Sequence, residues 1–255
     1  MLKSNKIIQG LWVNGSLNNL QSLSIKSFLS NGHEFHLYTY NSEIKAPIGT
    51  TIISADEIIS KKNIFLDERG GLSTFSDMFR YELLFKKGGW WVDLDIVCLR
   101  PFDFRSDYIF SSEFVNFDKN SKPVTNIGII KVPPKSDIMR FCKDMAHKIW
   151  ELNYPNIQWA AFGRTIIDSY MCINNEYKKY IKHPHVFCPI PFFLYGLFYN
   201  DILLDFTKKT YSLHFWNEMT RQRNVNMNDK FPSNSIFERY KNLYMYFPKK
   251  TADCG

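Results

Sequence analysis

The stretch from Ser73 to Val97 constrains the fold more than any other part of the chain. Phe75, Met78, Phe79, Leu83 and Leu84 recur at helical spacing, which predicts a helix over 73–87 with one apolar face. Ser73 is placed to cap it, Asp77 puts an acid near its start, and Lys86 and Lys87 put cations at the negative end of its dipole. Gly88-Gly89 stops it. Trp90-Trp91-Val92-Asp93-Leu94-Asp95-Ile96-Val97 then reads as a core strand, or a strand running into a turn, with two aspartates inside it. On a continuous strand, the two-residue period puts Asp93 and Asp95 on one face. Carboxylates that close repel, and burying them is costly unless something positive compensates. A divalent cation is the natural compensation. Hard oxygen ligands suit Mg²⁺ or Mn²⁺, which keep open positions for phosphate oxygens.

Asp77 and Arg80 share a helix face three residues apart. Arg80 is a fixed cation suited to phosphate or sugar hydroxyls, and Asp77 can accept from ribose or sugar hydroxyls. The bland alternative is a pair of solvated acids at a strand end, plus a surface ion pair worth about 0.3–0.5 kcal/mol.

The flanking chain supports an α/β fold. Residues 6–13 read as an opening strand closed by Asn14-Gly15. Residues 18–30 read as a helix ending at Asn31-Gly32, and 34–40 as a second strand. Residues 41–72 are expected to be loop with a short helix near 56–60. Strands are predicted at 108–114, 124–132 and 210–216, and helices at 136–150, 158–172 and 234–244. An irregular aromatic stretch is expected at 186–198 and a loop at 217–232. No repeat or linker stands out. The expected organisation is one domain over 1–255, with a less regular C-terminal part.

Composition narrows the chemistry. A chain of 255 residues with 45% hydrophobic content can bury a real core. Its net charge of +7 favours anionic partners. The basic residues are dispersed and no nucleic-acid motif appears, so no nucleic-acid partner is expected. The cysteines (Cys98, Cys142, Cys172, Cys188 and Cys254) are odd in number and lack a CxxC pair. Neither a disulfide framework nor a zinc cluster is expected, and a reducing cytosol fits. No apolar run approaches the roughly 18 residues of a spanning helix. Met1–Lys6 is polar and does not read as a signal peptide. The expected location is cytoplasmic, with peripheral contact at the inner face of the plasma membrane as one version. The aromatic stretch 192–199, together with Arg221, Arg223, Lys230, Lys249 and Lys250, would then touch an anionic membrane carrying a lipid-linked acceptor.

The block from Ser76 to Asp95 resembles the DXD-containing sugar-binding region of GT-A glycosyltransferases. This group spans family 32, the α-1,4-glycosyltransferases and the catalytic domains of clostridial glucosylating toxins. Ile7–Val13, Ser27–Tyr40, Asn126–Lys131, Phe187–Pro191 and His214–Asn217 resemble further blocks of that group in the same order. The likeness implies a GT-A (Rossmann-like) fold with a central mixed, mostly parallel sheet flanked by helices. It implies a nucleotide-sugar donor, UDP-sugar foremost, with Mn²⁺ or Mg²⁺ and retention of anomeric configuration. It also implies a nucleotide-sugar-binding half at 1–132 and an acceptor-binding and C-terminal part at 133–255. By the same likeness Trp12 stacks on the donor base, while Ser76, Asp77 and Arg80 hold the donor sugar or ribose. Asp93 contacts ribose and metal, Asp95 ligates the metal, Asn126 faces the donor sugar, His214 completes the metal site and Trp216 joins the donor site. The chain departs from the group in three places. Trp91 stands where the toxins carry tyrosine, His214 where they carry an acid, and Gly163-Arg164 where eukaryotic relatives carry Gly-Pro.

The expected reaction moves a hexose or N-acetylhexosamine to a saccharide acceptor of a bacterial surface polysaccharide: O-antigen, lipooligosaccharide or capsule. Asp93, Asp95 and Arg80 carry the catalytic role, and Lys131 or His214 could add charge at the diphosphate. Front-face attack is expected, with the leaving phosphate taking the acceptor proton. Asp118, Glu113 and Asp168 are the alternative bases or nucleophiles. Two rival readings are an effector-type enzyme that glycosylates a host protein and a metal-dependent phosphate-transfer enzyme.

Overall fold

The computed structural model describes residues 1–118 and 120–246; Lys249, Lys250 and Cys254 lie outside the described residues. In chain order the first half holds β1 (Ile7–Trp12), α1 (Asn19–Ser30), β2 (Glu34–Thr39), β3 (Thr50–Ser54), α2 (Ser73–Lys87), β4 (Gly89–Val92), β5 (Ile96–Cys98), β6 (Ile109–Glu113) and β7 (Val124–Val132). The second half holds α3 (Asp137–Asn153), α4 (Arg164–Ile173), α5 (Pro184–Phe187), β8 (Ser212–His214), α6 (Asn217–Gln222) and α7 (Ile236–Lys241).

One six-stranded sheet has the order β3-β2-β1-β4-β7-β6, and β5 pairs with β8 in a separate two-stranded sheet. The pairs β1–β2, β1–β4 and β2–β3 are parallel, and β7 is antiparallel to both neighbours. This is the mixed, mostly parallel α/β architecture that the sequence implies. Apolar clusters lie on both faces of the sheet. Trp90 packs with Ile8, Phe35 and Phe102 on one face, and Trp91 with Leu11, Phe79 and Ile130 on the other. A strand buried on both faces needs a continuous apolar run, which explains the double tryptophan.

The strand order reverses between β1 and β4. The chain leaves β1 toward β2 and β3, and then returns to β1's other side as β4. Such a switch point leaves a crevice outside the carboxyl ends of the two strands, where α/β folds bind ligands. Trp12 ends β1 and Asp93 follows β4 directly.

The structure corrects several expectations. The strand over 90–97 breaks after Val92. Residues 93–95 form a turn, closed by Ile96 N–H donating to the Asp93 carbonyl at 3.1 Å, and β5 joins the other sheet. The edge strand β3 falls inside the expected 41–72 loop. Thr50, Thr51 and Ser54 alternate poorly with Ile52 and Ile53, and most of the strand faces solvent. α6 occupies part of the expected 217–232 loop, and α4 starts six residues later than predicted. Ser73 is not a cap. It is the first helical residue, and its hydroxyl donates to Asp67 Oδ2 at 3.1 Å. Gly88, at φ +64°, is the left-handed stop that lets α2 turn directly into β4. Among the described residues no helix is long and apolar enough to cross a membrane.

Candidate functional site

Three side chains converge beyond the end of β4. Asp93, Asp95 and His214 each offer a ligand atom, and these atoms lie within 4.8 Å of one another. The turn, rather than a strand pleat, brings the two aspartates together, and pairing of Ile96 with His214 brings β8 alongside. His214 is the last residue of β8, so its backbone is fixed by the β5 ladder.

Each carboxylate is half-committed. Asp93 Oδ1 accepts from Arg80 at 2.7 Å and from the Trp91 indole N–H at 2.8 Å. Trp91 thus provides a donor to Asp93 where the toxins carry tyrosine. Asp95 Oδ2 accepts from the Asn217 N–H at 2.8 Å and lies 3.3 Å from His214 Nε2. Asp95 Oδ1 is buried and has no partner among the described residues. A buried carboxylate oxygen without a donor costs several kcal/mol unless a cation meets it.

Electrostatics point the same way. Arg80 is deeply buried and is shared between Asp77, at 2.8 Å, and Asp93. One guanidinium therefore faces two carboxylates, with Asp95 beyond. Burial pushes the Asp77 carboxyl up to about 7 despite the pull of Arg80. Burial alone would also raise the Asp95 carboxyl, but the charged His214 and the Asn217 N–H bring it below its ordinary value. The His214 imidazole would be pushed down by burial; Asp95 outweighs that and holds its pKa well above the ordinary range. The cluster carries surplus negative charge, and a proton on His214 offsets part of it. A cation bound here would displace that proton, because imidazole ligates only when neutral.

The surroundings hold these groups in place. The Trp216 ring stacks on His214 at 3.7 Å between centroids, and its Nε1 donates to the Ile190 carbonyl at 2.8 Å. Trp216 is buried and left-handed (φ +55°), and one of its faces is taken up by His214. The structure thus gives it the task of positioning His214. Cys188 Sγ approaches His214 Nδ1 at 3.9 Å. Asn126, on β7, accepts from Gly128 N–H at 2.9 Å and donates to Glu113 Oε1 at 3.0 Å. Gly128 lies under the cluster. A Cβ there would stand 3.0 Å from Asn126 Oδ1, 3.1 Å from Asp93 Oδ2 and 3.3 Å from His214 Cε1.

The remaining expected residues divide. Ser76 is half-buried beside Asp77 on α2. Trp12 is half-buried at the end of β1, its Nε1 donating to Gly15 O at 3.3 Å. Its cross-strand partner Thr39 joins Tyr40, Ser42, Ile52, Ile53 and Ser54 around a cavity of about 270 Å³. Lys131 does not reach the site. It pairs with Trp90 across the sheet, and its ammonium is buried against Asn5 Oδ1 at 2.7 Å and Ser106 O at 2.9 Å. Asp118 is exposed on the β6–β7 loop, and Asp168 accepts from Thr125 on β7; of the three alternative acids only Glu113 bonds a site residue. His183 and His185 sit at the start of α5 and join no cluster with metal-ligand spacing among the described residues. Reading the sequence alone missed the Asn217 N–H and Gly128. A glycine inside a strand is the signal for Gly128, since it marks close approach; nothing in the sequence flags a backbone N–H.

Comparisons with known proteins add a family. The chain resembles the PaToxG glycosyltransferase at 16% identity and a TM-score of 0.48, covering 67% of this chain and 69% of that one. It resembles the glycosyltransferase domain of the YGT toxin at 9% identity and a TM-score of 0.46, covering 69% and 79%. It resembles the glycosyltransferase GlyE of Streptococcus pneumoniae TIGR4 at 12% identity and 0.40, covering 71% of this chain and 45% of that one. These superpositions are too distant to decide a function. No curated protein matches by sequence. The family model described as "Capsular polysaccharide synthesis protein" matches residues 57–241, a span that holds α2, both aspartates, Asn126 and His214. The chain belongs to the capsular polysaccharide synthesis protein family.

Proposed function

We propose that the chain is a metal-dependent, retaining glycosyltransferase. It moves a hexose or N-acetylhexosamine from a nucleotide sugar, UDP-sugar foremost, to a saccharide acceptor during capsule synthesis. The observation that carries this reading is that Asp95, clustered with Asp93 and His214 just past the end of β4, keeps a buried Oδ1 with no partner among the described residues.

The donor set fits a divalent cation. Two carboxylates and an imidazole within 4.8 Å suit Mn²⁺ or Mg²⁺, and the surplus negative charge favours one. Bound there by Asp93, Asp95 and His214, the ion would supply Lewis-acid stabilisation of charge on the leaving diphosphate. The protein's own groups do the rest. Arg80, pinned between Asp77 and Asp93, presents a fixed positive charge next to the same centre. Asn126, held by Gly128 N–H and Glu113, offers an oriented amide toward the donor sugar. The cavity beside Trp12 is placed for the nucleoside: its lining mixes Ile52 and Ile53 with the Thr39, Ser42 and Ser54 hydroxyls. Trp12 would stack on the base, worth roughly 1–3 kcal/mol. Membrane contact and a lipid-linked acceptor belong to the same proposal, with the aromatic stretch 192–199 as the surface involved.

The test pairs binding with turnover. Mn²⁺ should raise the melting temperature, and the cognate nucleotide sugar should raise it further only with the metal present. Release of nucleoside diphosphate from a panel of UDP-sugars should disappear in Asp95→Ala. A protein that ignores Mn²⁺, or releases diphosphate equally well without Asp95, is not this enzyme.

A further inference from the structure

A second cavity, of about 290 Å³, opens where the chain after β6 meets the aromatic stretch that starts at Pro191. It is lined by Phe114, Asn116, Phe117, Asp118, Phe193 and Leu194. Phe117 is 73% exposed, and its ring meets Phe193 at 4.3 Å between centroids. A large aromatic ring held in solvent by another aromatic is costly for a fold and useful for a ligand. The polar groups along the rim are few: Asn116, Asp118 and Ser121. Apolar walls with a few polar groups along the rim describe a pyranose subsite better than a charged one.

Glu113 is the residue next to this cavity that also bonds the donor site. It ends β6, and the next residue, Phe114, is part of the cavity wall. Its Oε1 is tied to Asn126, whose own oxygen lies, with Asp93 Oδ2, within about 3 Å of one point above Gly128. The half-buried carboxyl is thus linked through Asn126 to the metal-site cluster, and the chain runs from it directly into the cavity wall. Asp118 lines the cavity but bonds no residue of the donor site, and Asp168 is tied to Thr125. Burial raises the Glu113 carboxyl above its ordinary value, against the pull of the Asn126 amide, His214 and Arg164.

Resting on the glycosyltransferase reading, we propose that the Phe114–Phe193 cavity holds the acceptor sugar and that Glu113 is the base toward its attacking hydroxyl. The acceptor hydroxyl arrives on the face that the diphosphate vacates, so configuration is retained: as the new bond from the acceptor oxygen to the sugar's anomeric carbon forms, the bond to the diphosphate breaks and its electron pair leaves on the diphosphate. The hydroxyl proton passes to the Glu113 carboxylate. This replaces the leaving phosphate, expected from sequence, as the proton's destination.

Water can stand in for the acceptor, so the test needs no identified glycan. Diphosphate release from the cognate UDP-sugar is measured with Mn²⁺, first in buffer and then with octyl β-D-glucoside or octyl β-D-galactoside. Glu113→Gln should lower kcat of release by about 10²-fold or more, while the affinity for the nucleotide sugar changes less than twofold. At saturating Mn²⁺ the acid limb of the wild-type pH profile should shrink in Glu113→Gln to the part set by His214, whose proton the metal must displace. Formate should restore part of the rate to Glu113→Ala, a rescue that a merely structural role would not give. Phe117→Ala should raise the apparent KM for the octyl glycoside about tenfold. Wild-type kcat and pH profile in Glu113→Gln would overturn the base. A covalent glycosyl adduct on Glu113 by mass spectrometry would make it a nucleophile instead and also overturn it. An octyl glycoside that leaves release unchanged in the wild type, or a KM unmoved in Phe117→Ala, overturns the subsite. Failure of the underlying reading looks different: the wild type itself then neither binds Mn²⁺ nor releases diphosphate.

Discussion

The two ends of β4 bury charge in opposite ways. At its start, across from Trp90, Lys131 is buried, yet its ammonium is fully used: Asn5 Oδ1 at 2.7 Å, Ser106 O at 2.9 Å and the Trp90 ring 5.7 Å away. Past its far end, Asp95 is equally buried and keeps one oxygen with no partner among the described residues, beside a second carboxylate. The first arrangement is closed, so it serves the fold. The second stays open, so its cost must be met by something that binds. Buried charge by itself distinguishes nothing; incomplete satisfaction does.

The sharpest way to break this contrast is Asp95→Asn. The amide keeps an oxygen for the Asn217 N–H and removes the charge. We expect the Mn²⁺-induced rise in melting temperature to vanish and turnover to fall by about 10³-fold, with the metal-free protein less stable than wild type because His214 loses the carboxylate that keeps it charged. A metal shift that survives the substitution would place the ion elsewhere.

Asp77 tests the same surplus of charge through pH. Its carboxyl stands at about 7 in the fold against an ordinary 3.8. Between those values the folded protein holds a proton that the unfolded chain has released. Stability from this group is therefore fully present below about 4 and lost as pH rises through about 7. In EDTA, urea denaturation of the wild type should show a decline on the order of 3 kcal/mol across that window. Asp77→Asn should flatten it and be the more stable protein at pH 8. Parallel curves for the two proteins would show that Arg80 keeps Asp77 ionised throughout.

Much of this was legible in the sequence, and the limits are physical. Helix α2 and strand β7 fall where apolar period and glycine punctuation put them, because both patterns are local. Asp77, Arg80, Asp93, Asp95 and His214 were named as one site, and the structure brings them together. The way it does so was not legible. The two aspartates meet through a turn, and that turn is held by contacts with β8, more than a hundred residues away. Lys131 shows the converse error. Nothing local says that a lysine at that position of β7 pairs with the wrong end of β4, because antiparallel register is set by the partner strand. For Trp216, expected in the donor site, the non-local fact is that His214 stacks on one of its faces.

Gly128 sharpens the comparison at smaller scale. The backbone of β7 at this position is ordinary, so Gly128→Ala tests space alone. The added methyl would crowd Asp93 Oδ2, Asn126 Oδ1 and His214 Cε1 together. Metal affinity, read by Mn²⁺ titration, should drop about 10-fold to 100-fold, with the circular dichroism spectrum unchanged. Undiminished affinity would mean that the cluster has room to spare and is less preorganised than its contacts suggest.

The smallest effect belongs to the closed end. Lys131→Met keeps most of the side-chain volume and removes the ammonium. Asn5 Oδ1 still accepts from the Trp90 indole at 3.1 Å, so it is not stranded, whereas Ser106 O loses a close donor. One buried acceptor left short costs about 1–3 kcal/mol, and the apolar replacement recovers part of it. A net loss of about 1–2 kcal/mol in urea denaturation follows, and the Mn²⁺-induced shift should match wild type. A protein that lost metal binding here would show that the two ends of β4 are coupled through the strand, and that the separation between a charge that holds the fold and a charge that waits for a ligand is not as clean as their hydrogen bonds make it.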